Sequence, residues 1–102
     1  MRLVSEAEQI AKANIDIQRA TQARQVMENP LLKEYFIKSR AAIFERLTKT
    51  KPRETEEREY IYLELKEFDR FESNFYKAME KGKMAESWLD KLRQKSKATL
   101  KR

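Results

Sequence analysis

The chain has 102 residues, 40% hydrophobic and 39% charged, against a norm of about 25% charged for globular domains, so it is one domain at most, with a thin core. One glycine and two prolines are too few turn residues for a many-stranded β-fold. With no cysteine and no histidine, disulfides, zinc–thiolate sites, thiolate nucleophiles and the commonest general base are excluded.

No apolar run approaches the ~20 residues of a membrane span, and Met1–Val4 is too short for a signal peptide. No membrane association and an intracellular setting are expected. The net charge of +6 is segmented: residues 1–30 cancel at four basic and four acidic, and 31–53 carry seven basic and two acidic. Residues 54–80 carry nine acidic and four basic, and 81–102 eight basic and two acidic. An acidic segment thus lies between two basic ones.

Ser5-Glu6-Ala7-Glu8 reads as a capping box that opens a first helix. Its apolar positions Ile10, Ala13, Ile17, Ala20, Met27 and Leu31, with Arg24 in the stripe, form a low-bulk seam suited to close helix–helix contact. Ile10, Ile17 and Met27 are its candidate self-association residues. At Asn29-Pro30 a break is expected, with Asn29 as N-cap and Pro30 at the first helical position. A second helix follows over about 30–48 with a wide stripe of Leu32, Phe36, Ile43 and Leu47. Lys33, Lys38, Arg40 and Arg46 are left for its polar surface.

Thr48–Arg53 is a loop by composition, with Pro52 blocking a continuous helix. A third helix over 54–80 starts near Thr55, its first turn crowded with acids that the helix dipole favours. Its stripe of Ile61, Leu65, Phe68, Phe71, Phe75 and Met79 is the bulkiest in the chain. The second and third helices should therefore pair as an antiparallel hairpin. Gly82, the only glycine, reads as the residue that ends this helix in a left-handed cap. A fourth helix over about 84–97 then presents Met84, Ala85, Trp88, Leu89 and Leu92, and frays into a basic tail.

Glu54, Glu56, Glu57 and Glu59 read as dipole complementation on a solvated helix, since a di-iron helix needs Glu-x-x-His. No catalytic, metal or cofactor residues are assigned, and none of the chain reads as an enzyme. Trp88 with Met84 and Leu92 forms a small apolar face, read as internal packing or as a protein interface, with a membrane-surface helix disfavoured because the face is only about three turns long. After Asp90 no acid remains, and Lys91, Arg93, Lys95, Lys97, Lys101 and Arg102 make up half of the last twelve residues. With Lys38 and Arg46 of the second helix, they are the candidate nucleic-acid contacts. Such cations bind phosphate by counterion release, without reading bases. Helical spacing scatters the first four around the axis, so a flexible cationic extension is expected.

The strings Asn29-Pro30-Leu31-Leu32-Lys33-Glu34, Thr50–Glu59, Leu63–Arg70 and Glu80–Ala85 resemble those of small helical proteins from the head and packaging gene clusters of tailed phages and gene-transfer agents. The resemblance covers about residues 29–90. It implies a small-terminase-like role: a non-enzymatic homo-oligomer that engages double-stranded viral DNA and a large terminase or another phage head protein, in the host cytoplasm or the virion. The chain lacks the N-terminal helix-turn-helix of most small terminases, which keeps open a head-assembly or scaffolding role that involves protein only.

The expected fold is all-α and oligomeric, with four helices around a central antiparallel hairpin and segments 1–28 (oligomerisation seam), 29–82 (hairpin core) and 83–102 (C-terminal helix and basic tail).

Overall fold

Three helices make up almost all of the computed structural model, which describes residues 5–100: α1 (Glu6–Glu28), α2 (Pro30–Thr48) and α3 (Thr55–Leu100). There is no strand among the described residues. Met1–Val4, Lys101 and Arg102 lie outside them. The fold is all-α, as composition and periodicity require. The chain divides into two compact units, one of Val26–Asn74 and one of Met1–Gln25 with Phe75–Arg102.

The first unit is the expected hairpin of α2 with the first part of α3. The Asn29 side chain accepts from the backbone N–H groups of Leu31 (3.0 Å) and Leu32 (3.1 Å), satisfying two donors that a helix start leaves free. Pro30 follows at the first position, where its missing N–H costs nothing. At the other end the Thr50 hydroxyl donates to the Leu47 carbonyl at 2.6 Å and accepts from Arg58 Nη1 at 2.9 Å. That bond ties the loop to the first turn of α3.

Ile43 and Ile61 are buried in the hairpin, Ile61 to 1% exposure, which stabilises by about 1.5–3 kcal/mol for a side chain of this size. Phe36 meets Phe68 edge-on at 5.3 Å between centroids and Phe71 at 6.1 Å. Each such pair adds about 0.5–1.5 kcal/mol beyond its burial.

The second unit packs α1 antiparallel against the C-terminal part of α3. The Ser5 hydroxyl accepts from the Glu8 N–H at 3.2 Å, so the expected cap is present. Ala13, Ala85 and Leu89 form the buried cluster, with Ile10, Ile17, Trp88 and Leu92 packed against it.

Two expectations are corrected in this unit. First, Gly82 ends no helix: α3 runs through it without interruption, and no glycine has a positive φ. A Cβ on Gly82 would overlap the Ala20 Cβ and stand 3.1 Å from the Asp16 carbonyl oxygen. The missing side chain lets α1 and α3 approach closely, so there are three helices among the described residues where four were expected. Second, the helix expected to reach about residue 97 does so as part of α3, which continues to Leu100 where a flexible cationic extension was expected.

The core is thin. Seven apolar residues are buried among the described residues, four of them alanines, while twelve large hydrophobic side chains stay exposed.

Candidate functional site

The sequence offered two basic segments as nucleic-acid contacts, and the fold treats them differently. In α2, Arg40 donates to Asp69 (2.6 Å) and Glu72 (3.2 Å) of α3 and lies 5.8 Å from the Phe68 ring centre. Arg46 Nη1 spans both carboxylate oxygens of Glu64 at 3.0 and 2.8 Å. Lys38 pairs with Glu34 at 2.6 Å on its own helix. The basic second helix and the acidic third helix thus answer one another within the chain. Arg46 and Lys38 remain partly exposed, but each has a carboxylate partner.

The C-terminal cations are arranged in two pairs on the last turns of α3. Lys91 and Lys95 stand beside Trp88 and Leu92 on one face. Arg93 and Lys97 line a second hollow with Ile10, Leu89 and Leu92. Arg93 also lies 3.4 Å from Asp90. Positive charge near a helix C-terminus is favourable to the helix itself, and the acid-free composition exceeds what that alone requires. Lys101 and Arg102, the remaining two candidates, lie outside the described residues.

The candidate interface residues Ile10, Ile17, Trp88 and Leu92 pack against one another's helices inside the chain. Met27 is half-buried near the end of α1. The low-bulk seam therefore already has a partner in α3. Trp88 docks on α1, and its outer edge borders an open groove of about 440 Å³ lined by Lys12, Asp16, Lys81, Met84 and Trp88 among others.

Met84 lies beside Trp88 here as the sequence suggested, while Lys12 and Lys81 join this surface without having been assigned to it from the sequence. The signal was there in the spacing: Lys81, Met84, Trp88, Lys91 and Lys95 recur at three and four residues, one face of a helix. It is visible only once Gly82 is a helical residue. No three His, Cys, Asp or Glu side chains converge as metal ligands among the described residues. Glu54 instead accepts from the Lys51 N–H at 3.1 Å. No described helix is long and apolar enough to cross a membrane.

No family model, curated protein or solved structure matches the chain.

Proposed function

We propose that this chain is a non-enzymatic, oligomeric nucleic-acid-binding adaptor of the small-terminase kind, which holds double-stranded DNA by its phosphates through the cationic end of α3 and presents it to a larger packaging protein. The observation that carries the reading is the contrast between the two basic segments. Lys38, Arg40 and Arg46 of α2 have carboxylate partners, whereas Lys91, Arg93, Lys95 and Lys97 all follow the last acid of the chain, Asp90, which Arg93 meets at 3.4 Å. The resemblance of residues 29–90 to phage packaging proteins supplies the biological setting, host cytoplasm or virion.

The test is the salt dependence of duplex binding by the full chain and by a variant with Arg93, Lys95 and Lys97 changed to glutamine. Each phosphate contact contributes a slope of about −0.9 in log affinity against log salt. Loss of all three contacts flattens the slope by roughly 2.7. Equal affinity of the two proteins at every salt concentration would refute the assignment.

A second reading, an assembly or scaffolding protein that binds only protein, is favoured by the exposed hydrophobic side chains. The absence of any duplex shift at low salt selects it.

A further inference from the structure

We propose that the groove beside Trp88 receives the acidic N-terminal stripe of α3 from a second copy, so that copies join head to tail. The proposal rests on the self-association part of the reading above and names the surfaces that achieve it.

The groove side carries Lys81, Met84 and Trp88 of α3, and the same helical face continues to Lys91, which stands in the adjoining hollow beside Trp88 and completes a cation–apolar–apolar–cation series. Met84 is 65% exposed, and Lys12 of α1 borders the same groove. None of Lys12, Lys81 and Lys91 makes an ion pair among the described residues.

The complementary series is Glu56, Tyr60, Leu63 and Glu67, spaced four, three and four residues apart and hence on one helical face. Tyr60 is 65% and Leu63 53% exposed. Glu56 makes no ion pair among the described residues, and Glu67 has only the exposed Arg70 at 3.7 Å. An acid–apolar–apolar–acid stripe is what a cation–apolar–apolar–cation groove recognises. Apolar contact at the centre supplies the affinity, and the flanking charges set register and exclude other partners.

The basic segment of α2 is a poorer receptor, because its arginines already hold Asp69, Glu72 and Glu64. The groove also contains an acid, Asp16, placed to accept from a phenol such as the Tyr60 hydroxyl. The stripe belongs to one compact unit and the groove to the other, and the contact is assigned to separate copies. Each copy carries one stripe and one groove, and such heterologous contacts propagate into a ring or a filament instead of stopping at a two-fold dimer.

Sedimentation of the full chain tests this with two single variants at exposed positions, Met84→Glu in the groove and Leu63→Glu in the stripe. Wild type should exceed 12.3 kDa, with a mass that grows with concentration up to the order of 100 µM. Each variant alone should be monomeric, its association weakened at least tenfold. Their equimolar mixture should form a species of two chains and nothing larger, because one intact stripe meets one intact groove. Circular dichroism of each variant should match wild type, and both should keep the duplex binding assigned to Arg93, Lys95 and Lys97.

A wild type that stays monomeric throughout overturns both the contact and the self-association on which it rests. Oligomers that survive in either variant, or a mixture that stays monomeric, overturn the contact alone. Loss of DNA binding by Met84→Glu at unchanged mass would give the groove to nucleic acid and overturn it as well.

Discussion

A methyl group on Gly82 has nowhere to go. It would overlap the Ala20 Cβ, which is carried directly by a helix backbone and cannot swing aside, and it would crowd the Asp16 carbonyl. Alanine in a helix interior is favoured over glycine by about 1 kcal/mol, while overpacking at a rigid contact costs about 1–3 kcal/mol. Gly82→Ala should therefore lower stability, by up to about 2 kcal/mol, as read by thermal or urea unfolding. Ala20→Gly removes the overlapping atom. The double variant should be more stable than the two single changes predict by addition, with a coupling of at least about 1 kcal/mol. Strict additivity would mean that the close approach of α1 and α3 is not what selects glycine.

At the scale of elements, the hairpin is held by charge as well as by its aromatic core. Arg40 meets two carboxylates and an aromatic face, whereas Arg46 meets one carboxylate. All these groups are partly exposed, so each pair contributes only up to about 1 kcal/mol. Arg40→Ala should destabilise more than Arg46→Ala, and the gap should narrow in high salt, where exposed pairs are screened. Equal effects at low salt would remove the special place given to Arg40. The bounds of α2 and the start of α3 were legible in the sequence because their signals are local: Asn29 and Pro30 at one end, Pro52 and the acids after it at the other. Gly82 was not, because a glycine suits both a left-handed cap and a close helix contact. Its partner Ala20, which decides between them, lies far away in sequence. The site divides in the same way. Its cations could be counted from the chain, but which of them carboxylates already hold depends on the pairing of α2 with α3.

For the whole molecule, α3 serves as the packing partner of α1 in one unit and of α2 in the other. The two partnerships close very different lengths of chain. The bond from Arg58 to Thr50 spans eight residues, whereas Ala13 and Ala85 are brought together across seventy-two. Loop-closure entropy makes the longer closure about 2 kcal/mol more costly. Contacts of this kind form late. The hairpin should therefore assemble first and α1 dock afterwards. The single tryptophan, Trp88, belongs to the cluster that α1 completes, so it reports the second event alone. In stopped-flow refolding, helical circular dichroism should rise ahead of the change in tryptophan fluorescence. Coincident single-exponential traces would mean that both closures occur in one step. An order of events thus follows from where one aromatic ring sits along a shared helix.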